Sequence, residues 1–411
     1  MDDPTTTTEK HPLRAFRNRA FRQLWAGVIL NGFATWVTRL TVGWFIFDQT
    51  GSALLTAISF AMQSAPGLVV APFGGAIADR IDRRHVLAGS ALVKGLVVLA
   101  LAFVAVDGTD SAWAVIALLA IAGAMNSFEI PASQTLIPDL VGPIDAMNGI
   151  AVCSVGLRAI SAIGALAGGF ILESFGPATA FALAAVLHWL AAGVVVRIEA
   201  PAPTLSDSDA PQRSVITDAV AGLRTMVNLP TVRALLIMAL LVEVLCFSYA
   251  SVLPVLARDR LGLDESDLGT LTAMAGFGSF LGALGLTTLS EYRRKGLVLI
   301  GVAALYGAGV LTLGLSSLFA LSIVVITVVG MMAALFDGLQ WGLLQENVPD
   351  ALRGRAMGGW VLAVGFGWIG HLELGAVSDV IGVDWALAIH GALIIVVAGV
   401  VLLMTKSLKR A

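Results

Sequence analysis

Seven charged side chains stand inside long apolar stretches: Arg39, Lys94, Glu129 and Arg158, then Glu243, Asp337 and Glu373, with His371 two positions before Glu373. Charge in such surroundings is costly and by default functional. A carboxyl group stripped of water holds its proton more tightly and releases it when its surroundings change. Glu129, Glu243, Asp337 and Glu373 are therefore the candidate proton carriers. The cations of the first half can pair with acids or clamp an anion. Asn31, Trp36, Arg39, Arg158, Trp368 and His371 are the candidate residues for lining a binding cavity, the two tryptophans because they lie well inside their segments. Lys94 stands nearer a segment end and reads more readily as snorkelling to the surface. His188 and His390, on otherwise apolar stretches, read as packing residues.

The densest charge lies elsewhere, in Gly75 to Leu87 (GAIADRIDRRHVL), a short polar turn between two apolar runs. Asp79, at a helix end, can face the positive N-terminus of a neighbouring helix. Arg80 and Arg83 can make charge-assisted hydrogen bonds to another part of the molecule. Gly75, Asp79, Arg80, Arg83 and Arg84 thus form a candidate gate; the plainer alternative, preferred for Arg84 and His85, is a topology anchor.

These residues must be positioned by membrane-spanning helices. The chain is 57% hydrophobic and 13% charged, against about 25% charged in soluble chains. A crossing needs about 20 mainly apolar residues. Twelve runs qualify: 23–47, 52–77, 85–106, 111–136, 146–172, 176–197, 231–256, 267–290, 296–316, 318–344, 358–380 and 383–404. The polar stretch 198–229, whose 213–228 segment is amphipathic and suits a membrane surface, divides them six and six. The implied units are a cytoplasmic segment 1–22, a six-helix bundle 23–197, a linker 198–229, a second bundle 230–404 and a tail 405–411. If the N-terminus is cytoplasmic, all of the 25 Lys and Arg except Arg39, Lys94, Arg158, Arg258 and Arg260 fall on that side. The positive-inside rule then places both termini in the cytoplasm. Residues 1–20 are polar, and the first apolar run is too long for a cleavable signal core.

The two sets of six are related to one another. An offset of 211 carries Gln134–Asp139 (QTLIPD) onto Gln345–Asp350 (QENVPD), Arg83 and Arg84 onto Arg294 and Lys295, and Gly67 onto Gly278. It also carries Asp79 onto Ser290, so a latch built on that acid is one-sided. Parallel repeats of this kind describe transporters whose site lies between the halves near mid-membrane.

The Gly-x-x-x-Asp-Arg-x-x-Arg-Arg spacing, together with RNRAFRQLW before the first helix, TGSALL at 50–55, IPASQTLIPDL at 130–140 and VPDALRGRAMG at 348–358, resembles the major facilitator superfamily. Within it, the chain looks like the branch of enterobactin-type siderophore exporters and macrolide efflux proteins. The resemblance implies an all-α membrane fold of twelve helices in two pseudo-symmetric six-helix bundles, and alternating access. It implies that the basic loop holds the cytoplasmic ends together in the outward-facing state. It also puts Glu129 at a frequently acidic position, with Arg39 as its partner because helices one and four both line the cavity; a purely structural Arg39–Glu129 bridge is the alternative. The chain departs from the family in three places, the first being Asp82 where the loop pattern usually has a glycine. Gly32-Phe33-Ala34-Thr35 lacks the acid that often follows the first-helix glycine, and Gly164–Gly169 keeps the fifth-helix glycines without their proline.

The activity implied is secondary active export of an amphipathic small molecule (drug, siderophore or related metabolite) from a bacterial inner membrane, driven by protons, by a monomer without cofactor, metal or nucleic acid. The alternative within transporters is an organic-anion carrier, coupled or uncoupled and including import, with Arg39 and Arg158 as clamps. An intramembrane enzyme is disfavoured: there is no His, Asp or Cys cluster near a membrane surface, and Cys153 and Cys246 stand alone. ATP-driven transport lacks its phosphate loop, and Gly365–Gly370 matches a dinucleotide fingerprint by letter only, with no strand before it.

Overall fold

In the computed structural model, the residues described are 13–70, 81–107, 112–199, 229–289, 292, 294–348, 360 and 363–404. Gly75, Asp79 and Arg80 of the candidate gate, residues 200–228 of the linker and the tail beyond 404 lie outside them.

Regular structure among these residues is helical throughout. α1 (Arg19–Thr50) starts where Asn18 Oδ1 accepts from the backbone N–H of Ala20, at 2.8 Å, and of Phe21. It stops at Gly51, whose φ of 61° ends the helix in the left-handed region, the usual role of glycine there. Ser52 caps α2 (Ala53–Ala61) by accepting from Leu55 N, and the crossing continues to Val70. α3 (Arg83–Asp107) and α4 (Ala112–Val141) follow. α5 (Ala146–Val195) contains two crossings. The expected separate runs 146–172 and 176–197 meet at Gly176 (φ 78°) and Pro177, where the chain turns without a loop.

The second half comprises α6 (Pro230–Arg260), α7 (Glu265–Leu289), α8 (Lys295–Leu315), α9 (Phe319–Glu346), α10 (Gly367–Ile381) and α11 (Val383–Met404). α6 is interrupted by π-helical turns at Glu243–Phe247 and Leu256–Arg260. Nine of these stretches are long and apolar enough to cross a membrane by composition alone. α1, the second arm of α5 and α10 complete twelve among the described residues.

Three apolar clusters hold the helices. One fills the first half near the start of α1, with Phe21, Leu24, Val86 and Leu136. Another fills its opposite end, with Phe45, Ile46, Leu101 and Phe181. The third is the core of the second half, into which Leu40 and Trp44 of α1 and Ala165 and Leu172 of α5 reach. Lipid is as apolar as leucine, so helix contact here relies on close packing of small residues. At the crossing of α5 and α7, a Cβ on Gly169 would lie 2.8 Å from Gly269 Cα and 2.6 Å from Glu265 O. Only glycine allows that approach.

The two ends of the bundle are held differently. Call the end bearing Arg14, Arg17, Arg19 and Arg22 the collar end. At the far end, Asp379 of α10 crosses to the first half and caps α2. It accepts from Ala53 N at 2.6 Å, Ser52 Oγ at 2.9 Å and Leu54 N at 3.2 Å. Arg258 of α6 pairs with Asp48 of α1 beside it. At the collar end, the described ion pairs stay within one half: Arg14–Asp145 at 2.9 Å, Arg83–Asp139, Arg84–Asp82 and Lys295–Glu346. In this arrangement Asp139 and the Thr135 carbonyl of α4 take the donors of Arg83 within the first half; the gate reading places its contact with the other half in the outward-facing state. Lys295–Glu346 joins α8 to α9 as Arg83–Asp139 joins α3 to α4, the relation that a duplicated unit requires.

Candidate functional site

The Glu129 site is built from four crossings of the first half. α4 carries Asn126 and Glu129 three residues apart, on one helical face. Opposite them α3 brings Lys94, whose ammonium lies 2.9 Å from each Glu129 oxygen and is aligned as a donor to Oε2. Lys94 also donates to Asn126 Oδ1 at 3.2 Å. From α1, Asn31 Nδ2 donates to Glu129 Oε2 at 3.0 Å. On the far side of Asn31, its Oδ1 lies 2.8 Å from His188 Nδ1 in the second arm of α5. Because Asn31 already donates through Nδ2, its oxygen must accept, which places the imidazole proton on Nδ1.

Three expectations change here. Glu129 is partnered by Lys94, and Arg39 is elsewhere. Lys94 does not snorkel: it is 3% exposed, held by an acid that repays part of its desolvation. His188 is a hydrogen-bonding member of the network, no mere packing group. The signal is present in the spacing, since Lys94 and Glu129 are each one intramembrane charge of opposite sign on consecutive helices. Their depths look different in the sequence because the polar turn sets the apparent start of α3.

Glu129 and Asn31 border a small cavity of about 120 Å³ with Ser133. Lys94, Asn126 and His188 border a second void of about 30 Å³ with Gln63, Thr35 and Thr38. The ion pair thus stands between two small voids inside one half.

A larger cavity of about 390 Å³ lies between the halves. α1 contributes Trp36 and Arg39, α2 Phe60, and α5 Arg158 and Ser161; α6 contributes Tyr249 and α7 Thr272 and Ser279. Arg39 sits over two rings, 5.0 Å from the Phe60 centroid and 5.4 Å from that of Trp36. Gly164 of α5 makes this possible: a Cβ there would meet Trp36 Cβ at 3.0 Å.

Trp36, Arg39 and Arg158, three of the candidate wall residues, line this cavity. Asn31 faces the Glu129 void instead. His371 stands behind the wall with its ring 6.2 Å from Phe60. Trp368 is not among the lining residues. Phe60 and Tyr249 are absent from the sequence-based candidates, because an aromatic residue on an apolar helix gives no sequence sign of which way it points.

The acids of the second half are not among the residues lining this cavity. Glu243 occupies the first π-helical turn of α6 and touches α10, where a Cβ on Gly367 would lie 2.7 Å from Glu243 Oε1. Such turns often mark functional positions. Asp337 is within electrostatic range of both Glu243 and Arg158. Glu373 is 45% exposed and 2.5 Å from His390 Nε2, so it faces away from the interface. His390, expected to be a packing residue, is its partner, and its Nδ1 lies 2.8 Å from the Ala386 carbonyl. Gln340, at the position that the offset matches to Glu129, donates to Leu235 O at 2.8 Å and accepts from Trp360 Nε1 at 3.0 Å. Among the described residues no group of His, Cys, Asp and Glu is placed to hold a metal.

Twelve crossings, two related halves and a cavity between them define a membrane transporter. The chain belongs to the transmembrane secretion effector family of major facilitator transporters, whose model matches residues 10–410. It is 27% identical over 376 residues to the multidrug efflux pump Tap of Mycolicibacterium fortuitum, covering 85% of this chain and 87% of that one. It is 24% identical over 383 residues to macrolide efflux protein A of Streptococcus pyogenes, covering 92% and 94%. In fold it is similar to the nucleoside transporter NupG, with a TM-score of 0.72, 15% identity and coverage of 94% of this chain and 99% of that one. The resemblance drawn from the loop and the flanking motifs is borne out, and the chain is a multi-pass membrane transporter, not an enzyme.

Proposed function

We propose that this transporter exports an amphipathic small molecule by alternating access, in exchange for protons, as a monomer in the bacterial inner membrane. The observation that carries the reading is the position of the large cavity. It has walls from both halves, a far end held shut by contacts between the halves, and described ion pairs confined to single halves at the collar end. The Arg-rich collar suits the cytoplasmic side, so this arrangement is that of a carrier able to load from the cytoplasm. The working units are the bundles 23–197 and 230–404, with 198–229 as the linker between them. Efflux by Tap and by macrolide efflux protein A supports the outward direction.

Glu129 is the proton carrier in this reading. Protonation removes the charge that holds Lys94, and Asn31 transmits the change to α1, whose Trp36 and Arg39 line the cavity. Glu243 and Asp337 are the second candidates, and Glu373 is the weakest because it faces outward. One observation favours a plainer role for Glu129: both of its oxygens lie 2.9 Å from the Lys94 ammonium, as in a brace between helices, although the hydrogen bonds of Lys94 and Asn31 go to Oε2 and leave Oε1 without one. Vesicles containing the purified chain decide between them. With a pH gradient imposed, a panel including a macrolide and aromatic organic acids is followed for movement. Gradient-driven transport that Glu129→Gln abolishes, with insertion intact, supports coupling at this site. Gradient-driven transport that persists in that variant makes Glu129 a brace, and transport indifferent to the gradient removes the antiport assignment.

A further inference from the structure

We infer that the substrate of the large cavity is an organic anion carrying an aromatic group, held through Arg39 and Arg158; this rests on the transport reading and narrows it to a chemical class. Both arginines line the cavity, and no carboxylate is among the described residues that do. Glu129, the acid nearest to neutralising Arg39 on sequence grounds, is engaged by Lys94 and Asn31 in a separate void. Asp337 is within range of Arg158, which leaves Arg39 as the described cavity cation without a described acid partner.

What surrounds Arg39 is aromatic. Its guanidinium lies over Phe60 and Trp36, and Tyr249 is within electrostatic range. Cation–π contact holds a charge without consuming its hydrogen-bond donors. A guanidinium has five N–H donors in a planar fork that matches a carboxylate, sulfonate or phosphate group. Trp36, Phe60 and Tyr249 then offer apolar faces to the remainder of the ligand. A volume of about 390 Å³ falls in the range of small-molecule sites, about 300–1,000 Å³. A cationic drug would meet the unopposed Arg39 charge here, and so the geometry selects against it.

The test uses the full chain in phosphatidylcholine nanodiscs and two probes of matched shape and opposite charge, 2-naphthoate and 2-naphthylmethylammonium. Equilibrium dialysis is expected to show the anion bound at least about tenfold more tightly. Arg39→Gln is expected to weaken naphthoate about ten- to a hundredfold, the usual worth of a hydrogen bond to a charged group, and to strengthen binding of the ammonium probe by removing a like charge. Arg39→Lys should recover part of the loss, because it restores the charge without the fork. Equal binding, preference for the ammonium probe, binding of neither, or full naphthoate affinity in a monodisperse Arg39→Gln chain overturns the inference. If Arg39→Gln does not fold, the probe comparison on the unmutated chain and the Arg158→Gln variant decide it. A chain that transports under a pH gradient without preferring the anion loses this inference and keeps the transport reading. One that prefers naphthoate yet moves nothing under any gradient keeps the site and loses that reading.

Discussion

Lys94 and Glu129 face each other at 2.9 Å across α3 and α4, with the lysine 3% exposed. Breaking such a pair from one side leaves a buried charge without a counter-ion, typically at a cost of about 3–5 kcal/mol. Lys94→Met should therefore lower thermal stability in detergent more than Lys94→Met/Glu129→Gln does. Additive losses in that double-mutant cycle would show that the two do not interact energetically.

At the far end, Asp379 and Asp48 both carry charge across the halves but should differ in weight. Asp379 accepts from two backbone N–H groups at the start of α2, a helix-terminus interaction worth about 0.3–1 kcal/mol. Asp48–Arg258 is 49% and 42% exposed, where pairs contribute about 0–1 kcal/mol. Asp379→Asn should move the population towards far-end opening by a factor of about 2–5, read by accessibility of a single cysteine placed in the large cavity to a membrane-impermeant reagent. Asp48→Asn should move it less; the reverse order would contradict the assignment of the cap as the stronger contact.

The Gly169–Gly269 crossing gives a steric prediction. A Cβ on Gly169 would lie 2.6 Å from the Glu265 carbonyl, and overpacking of this kind costs about 1–3 kcal/mol. Gly169→Val should destabilise the far-end-closed state selectively. Spin labels on α5 and α7 should report a longer distance in the variant, and an unchanged distance would mean that the crossing tolerates the side chain.

Strong acid should loosen the short turn before α3. Hydrogen bonds from the Arg84 side chain hold the Asp82 carboxyl below its ordinary value of 3.8, outweighing partial burial. A depressed value in the folded state means that Asp82 stabilises the fold fully above its unfolded value. That contribution is lost as pH falls through the folded one. Arg84, also bonded to the Ile198 carbonyl, would then lose one of its two anchors. Unfolding midpoints measured from about pH 6 down to about pH 2 should fall less steeply for Asp82→Asn than for the parent; parallel curves would exclude the pair as an acid-sensitive contact.

The number of crossings, the division into related halves and the superfamily are legible because each rests on local or repeated features: runs of apolar length, a polar stretch dividing six from six, motifs recurring at one offset. Helix ends are legible where a cap residue marks them, as at Asn18 and Gly51. The break inside α5 reads as a loop, since Gly176-Pro177 looks like one; the tertiary contacts of both arms keep it tight.

Which charge meets which depends on helix rotation and depth, and that lies beyond the sequence. Arg39, Lys94 and Arg158 are equivalent as cations in apolar runs. Lys94 meets Glu129 because α3 packs on α4 with those faces together. Arg39 turns into the cavity because Gly164 lets Trp36 and α1 close on α5. Sequence by itself determined a duplicated membrane transporter with a surplus of buried charge, since hydropathy and repetition are sums along the chain. Only the tertiary structure decided that one pair is neutralised inside a half while Arg39 and Arg158 line the cavity, because pairing depends on distances between helices that no local pattern encodes.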